Sequence, residues 1–165
     1  MIRWTWLAAV ACAEAPEGDP SGPATPALPI RALGLTDAAC EELESATFVQ
    51  GGQGGFHALI GVFGEAPSPD VVMGAVVSDA ETGEPIAELH EFNVMLADWD
   101  EGDHAGWASG EARIGDGSGS QQNRAALCAV VGRPLLVEGS IRALDDEQPS
   151  VVTTTVMATF DGPCG

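Results

Sequence analysis

Along most of the chain, apolar residues form short runs or alternate with polar ones, and Gly, Pro and acidic clusters separate them. Residues 56–63 and 71–77 are near-continuous apolar runs. Glycines and then Pro67 and Pro69 bound the first; Asp79-Ala80-Glu81-Thr82-Gly83, a strong turn sequence, ends the second. From 86 to 96 one parity carries Ile86, Glu88, His90, Phe92, Val94 and Leu96. Residues 107–114, 127–131, 135–143 and 151–160 complete the set of predicted strands. Residues 36–47 fit either a turn of helix or a polar lead-in strand. No helical periodicity persists over ten or more residues, so the pattern predicts an all-β domain of about seven or eight short strands.

Strands of this length, spaced by such turns, predict a β-sandwich. Segments 134–143 and 151–160 read as a hairpin around Asp145-Asp146-Glu147-Gln148-Pro149-Ser150, like the last hairpin of an immunoglobulin-like or fibronectin-like domain.

Before the strands the pattern changes. Residues 1–12 carry Arg3, an apolar stretch and small residues before Cys12, the order of a secretory signal. Ala9-Val10-Ala11-Cys12 resembles a bacterial lipobox, in which the Cys thiol takes a diacylglycerol and becomes the mature N-terminus. The resemblance implies lipidation of Cys12, although Ala9 stands where the commonest form has Leu. Ordinary cleavage after Ala11 or Ala13 is the alternative, and a third reading starts a buried strand here. Residues 13–35 hold Pro16, Pro20, Pro23, Pro26 and Pro29 among Ala, Gly and acids. Such a segment denies helix and ladder pairing and reads as an extended tether reaching on the order of 60 Å. The expected organisation is signal 1–12, tether 13–35 and domain 36–165.

Composition narrows the function classes. The 25 Asp and Glu against six basic residues, all Arg, leave a net charge of −19. That field repels nucleic-acid phosphates and anionic lipid surfaces, so no nucleic-acid partner is expected. The membrane would be met through the lipid anchor, with an envelope protein or glycan as a further partner. No apolar stretch approaches the ~20 residues of a spanning helix.

With Cys12 as anchor, three thiols remain, and three cannot all pair within one chain. Extending the antiparallel register of the last hairpin brings residues near 128–130 opposite Cys164. This favours Cys128–Cys164, with Cys40–Cys164 as the alternative; export makes either plausible.

Gly51-Gly52-Gln53-Gly54-Gly55-Phe56-His57 is the most distinctive stretch. It lacks the Gly-Lys-Ser/Thr of a P-loop and the following helix of a dinucleotide fingerprint. It reads as a glycine-permitted bulge or wide turn into a strand, where bare backbone also admits a ligand closely. The stretch resembles a Gly-Gln-Gly-Gly-aromatic-His segment of uncharacterised bacterial lipoproteins with Ig-like domains. That resemblance, with the strand layout over 40–160, implies envelope location and fold; the family has no assigned activity.

Asp98, Asp100, Asp103 and His104 form the candidate metal set, since alternate carboxylates can converge on a hard cation. An EF-hand loop would need Asp or Asn at 102, Gly at 103 and Glu at 109, where this chain has Gly102, Asp103 and Ser109. His57, His90 and His104 lie on separate segments without metal-site spacing. Trp99 and Trp107 flank the acidic loop and suit either sugar stacking or half-burial. No Gly-x-Ser-x-Gly or triad spacing is present. The sequence therefore predicts a non-catalytic, cofactor-free envelope lipoprotein with a binding or structural domain. A calcium- or transition-metal-binding lipoprotein using loop 98–104 is the alternative.

Overall fold

The computed structural model describes residues 29–164. Cys12, the signal 1–12 and most of the tether lie outside them. The described residues form β1 (Arg31–Thr36), β2 (Ser45–Gln50), β3 (Phe56–Glu65), β4 (Asp70–Asp79), β5 (Pro85–Met95), β6 (Ala97–Asp100) and β7 (Ala105–Ile114). After these come α1 (Gln121–Val130), β8 (Pro134–Ala143) and β9 (Ser150–Phe160). The described residues are all-β with one short helix.

The hydrogen-bonded strands make one sheet, not two separate ones, in the order β1-β3-β2-β9-β8-β4-β5-β7-β6. A further antiparallel pairing, β3 with β7, runs from His57↔Arg113 to Glu65↔Ala105 and closes the sheet on itself. Seven strands thus form a ring: β3, β2, β9, β8, β4, β5 and β7. β1 and β6 lie outside it, each sharing an edge of β3 or β7 that a ring strand leaves unpaired. β2 joins β9 in parallel; the other pairings are antiparallel.

The turn chemistry works as the residue types dictate. Asp79 Oδ1 accepts from the amides of Glu81 (2.9 Å) and Thr82 (3.0 Å), and Gly83 supplies the left-handed residue at φ 72°. The expected closing hairpin is present as β8 and β9, paired from Pro134↔Met157 to Ile141↔Ser150.

Three expectations need correction. Residues 127–131 are not a strand: α1 covers Gln121–Val130. The Ser120 hydroxyl caps it by accepting from Asn123 N (3.2 Å), and Leu127 and Val130, three apart, face the core. A five-residue apolar run looks alike in a strand and in a helix's buried stripe. Second, the domain begins before residue 36. β1 occupies Arg31–Thr36, within the stretch read as tether, because the segment after Pro29 alternates and buries Leu35. Third, the single parity over 86–96 breaks at a bulge: Met73 pairs with Phe92 but Ala75 with Leu89, so His90 and Glu91 together oppose Gly74. Before the bulge Ala87 turns inward and is buried; beyond the strand Leu96 is buried on the other parity.

The ring is narrow, and its inner face shows it. Ala58, Ala75, Ala108, Ala112 and Ala158 alternate with Phe48, Phe56, Ile60, Met73, Leu135 and Ile141 in the buried core. Where walls approach most closely, even alanine is too large. A Cβ on Gly64 of β3 would collide with Ile141 Cδ1 of β8 and stand 2.6 Å from the Arg31 carbonyl. A Cβ on Gly139 would come within 2.7 Å of Val62 Cγ2.

Gly64→Ala is therefore expected to destabilise the fold by about 1–3 kcal/mol through overpacking. Urea denaturation should show a lower midpoint with unchanged slope; an unchanged midpoint would contradict the close approach of β3 and β8.

Candidate ligand pocket

Closure of the ring by β3 and β7 sets the start of one strand beside the end of the other. The loop before β3 and the loop after β7 therefore meet. In the first, Gly51 N donates to Gly55 O (2.7 Å) and Gly54 N to Gly51 O (2.9 Å), making a compact turn. In the second, Gly115, Gly117 and Gly119 all have positive φ. The two loops pack backbone on backbone: a Cβ on Gly55 would strike the Gly117 carbonyl, and one on Gly119 the Gly54 carbonyl. The glycine-rich stretch is thus required by packing, and it also leaves one wall of a cavity bare.

Asp116 fixes the second loop. Its Oδ1 accepts from Ser118 N (2.9 Å) and Asn123 Nδ2 (2.9 Å), tying the loop to the first turn of α1. Hydrogen bonds from the Ser118 side chain and amide, then from Asn123, lower its carboxyl to about 2. At the far end of α1, Cys128 is joined to Cys164, Cα to Cα 5.5 Å, so the C-terminal residues are stapled to the helix. Arg124 also donates to the Pro163 carbonyl. The chain-entropy account of a cross-link spanning 36 residues gives roughly 4 kcal/mol of stabilisation.

Between these loops lies a cavity of about 300 Å³, walled by Gly51, Gly52, Gln53, Gly55, Phe56, His57, Glu111, Arg113 and Gly117. His57 and Arg113 are cross-strand partners on the outer face of β3 and β7. Glu111 Oε2 accepts from Arg113 Nη2 (3.0 Å) and Nε (3.3 Å). Its Oε1 stands 3.8 Å from His57 Nε2, beyond hydrogen-bond length. The imidazole is 15% exposed and lies over Gly51, where a Cβ would approach its Cε1 to 3.1 Å. Phe56, whose ring is buried in the core edge-on to Phe160 at 5.8 Å, also borders the cavity. The lining offers planar hydrogen-bonding groups, one carboxylate and no Ser, Thr, Cys or Lys.

A second cleft, about 420 Å³, runs between β1 and β9 and is lined mainly by Leu33, Leu35, Leu43, Phe63, Val152 and Thr154.

The residues singled out in sequence are dispersed. Asp98, at φ 50°, accepts from Trp107 Nε1 (3.4 Å). Asp100 turns back on its own loop to accept from Gly102 N (2.7 Å). Neither hydrogen bond holds Asp103. His104, at φ 53°, lies edge-on to Trp99 at 6.2 Å, and its carbonyl accepts from Ala66 N (2.9 Å). Among the described residues no group of three or more His, Cys, Asp or Glu is placed to hold a metal ion. His90 is exposed on β5 beside Glu88 (3.1 Å), and the described residues hold no metal-ligating group that it shares with His57 and His104. Of the candidates, only His57 and the glycine stretch enter the cavity. Glu111 and Arg113 were missed; their only trace in sequence is two charges at i, i+2 on the outward parity of a predicted strand.

No protein-family model and no curated protein matches the chain. Among solved structures the chain is similar to the CooA pilin subunit from enterotoxigenic Escherichia coli, with 15% identity and a TM-score of 0.35. The match covers 79% of this chain and 99% of that one.

Asp116 generates a pH prediction. Its folded value lies below the ordinary 3.8, so its contribution to stability is complete above that value and is lost as pH falls toward about 2. Asp116→Asn is expected to lower stability at neutral pH and to shrink the difference from wild type across that acid window. Urea midpoints at several pH values test this; a constant difference would contradict it.

Proposed function

We propose that this chain is an exported, non-catalytic envelope lipoprotein whose β-domain binds a small neutral polyhydroxyl ligand in the pocket beside His57. Lipid on Cys12 would hold it to a membrane, and the proline-rich segment would set it off the surface. The Cys128–Cys164 disulfide carries the export reading, because such bonds persist in oxidising compartments. The signal-like residues 1–12 support it independently.

The ligand class follows from the pocket's chemistry. The chain's charge of −19 disfavours anions. Arg113 already neutralises Glu111 and disfavours cations. The 3.8 Å gap between Glu111 Oε1 and His57 Nε2 suits a bridging hydroxyl, and the Gln53 amide can both donate and accept. A single carboxylate held by arginine, with no second carboxylate and no Ser, Thr, Cys or Lys lining the cavity, supports binding rather than hydrolysis.

We read the closed sheet as a flattened immunoglobulin-like sandwich, with β9-β8-β4-β5 facing β3-β7. The β5–β7 seam supports this reading, because two residue pairs alone, Ala87↔Ile114 and Glu88↔Arg113, join those strands.

Mass spectrometry of the mature N-terminus in the native host should find diacylglycerol on Cys12, and Cys12→Ala should move the protein to the soluble fraction. An unmodified N-terminus downstream of Cys12 would sink the anchor. Separately, amide NMR titration with neutral mono- and disaccharides should shift resonances of residues 51–57 and 117, and Glu111→Ala should abolish the shifts. A silent titration would remove the ligand while leaving the anchor standing.

A further inference from the structure

β1 leaves a seam beside β9. It bonds along β3 and runs the same way as β9, yet among the described residues no ladder joins β1 to β9. β9 is paired with β8 on its other side and meets β2 only from Met157 onward. Two contacts bound the seam: Ala32 N donates to Ser150 Oγ (2.9 Å), and Leu43 N to Leu35 O (3.1 Å). Here lies the cleft of about 420 Å³, with Leu33, Leu35, Leu43, Phe63 and Val152 as apolar walls and the exposed Glu42 at its rim. Thr36, also on its lining, is 6% exposed, and its hydroxyl is buried without a hydrogen-bond partner among the described residues. Its β3 partner is Gly61, where a Cβ would collide with that hydroxyl, so glycine keeps the space beside it open.

We propose that this cleft binds a small uncharged lipid, one hydrocarbon chain ending in a hydroxyl or ester group. Its volume lies within the roughly 300–1,000 Å³ of small-molecule sites, which combine apolar walls with a few placed polar groups. The walls select the chain, and the Thr36 hydroxyl selects the head. A buried hydroxyl left unbonded costs stability, and a ligand oxygen that accepts from it removes that cost. An ammonium head would offer the hydroxyl proton no acceptor. Glu42 at the rim, in a chain of net charge −19, opposes a carboxylate or phosphate head. The bounded ends favour a molecule that enters by one end. A polypeptide strand would have to run through the seam, and the Ala32–Ser150 and Leu43–Leu35 contacts stand in its path. The cleft shares no lining residue with the pocket beside His57, so the two sites are independent.

Amide NMR on the full chain carrying Cys12→Ser, which removes any acyl chain of its own, tests this with decanol and decanoate. Decanol should shift residues 33–36, 42–43 and 152–154 and leave 51–57 unmoved, and decanoate should bind roughly tenfold more weakly. Thr36→Val keeps the shape and removes the unbonded hydroxyl. It should weaken decanol about five- to tenfold without lowering the melting temperature. Glu42→Gln should strengthen decanoate, a gain that misfolding cannot mimic. Gly34 lines the cleft, and a Cβ on it would meet nothing within 4 Å, so Gly34→Val should fill the space and abolish binding in a folded chain. A titration in which decanol moves no cleft amide would overturn the proposal, whether residues 1–28 or nothing occupies the cleft. So would decanol affinity indifferent to Thr36→Val and Gly34→Val, or decanoate bound as tightly as decanol.

Discussion

The pairing of β3 with β7 is the interaction on which most of the architecture rests. Nine consecutive residue pairs, from His57↔Arg113 to Glu65↔Ala105, bond β3 along an edge that would otherwise be open. Once that seam forms, the sheet is a ring and its bore is set by strand number. A seven-strand ring leaves no room for large side chains everywhere, so the chain alternates Phe, Ile, Leu and Met with Ala. At the tightest approach it uses Gly64 and Gly139. The buried alanines and these close-approach glycines are a consequence of that geometry.

The same seam builds the pocket. Antiparallel neighbours put the start of β3 level with the end of β7, so two glycine-rich loops about sixty residues apart come into backbone contact. Asp116 and Asn123 then couple the second loop to α1, and the Cys128–Cys164 bond couples α1 to the C-terminal residues. Loop, helix and terminus form one stapled cap at that end of the ring. The cavity beside His57 lies against this cap, with Gly117 in its wall.

Arginines order the remaining charge. Arg133 meets Asp79 at 2.8 Å and Glu81 at 3.0 Å, closing the β4–β5 turn onto the start of β8. Hydrogen bonding by the Thr82 amide, aided by the Glu81 amide and Arg133, holds the Asp79 carboxyl below its usual value. Arg142 reaches across β4 to Glu91, lowering that carboxyl and being itself raised. Gly74 leaves space for the reach: a Cβ there would stand 3.2 Å from Glu91 Cγ. The bulge that ended the simple parity of β5 is what puts Glu91 in position.

The sequence by itself determined the local elements. Alternation and turn residues specify the hairpin of β8 and β9, the apolar β3 and β4, and the Asp79–Gly83 turn, because each depends on neighbours within a few residues. Tertiary structure decided the rest. Whether residues 127–131 were strand or helix turned on the Ser120 cap and on a core that accepts Leu127 and Val130 together. Whether residues 31–36 were tether or strand turned on the edge of β3 that receives them. Closure itself, and the meeting of His57 with Glu111 and Arg113, joins segments some fifty residues apart, and no local period encodes such a distance. The acidic loop shows the converse: its spacing suggested convergence, but Asp100 turns back to accept from Gly102 N, and no three of its candidate ligands are grouped among the described residues. Periodicity reports which way a side chain faces; only the closed sheet decides what it faces.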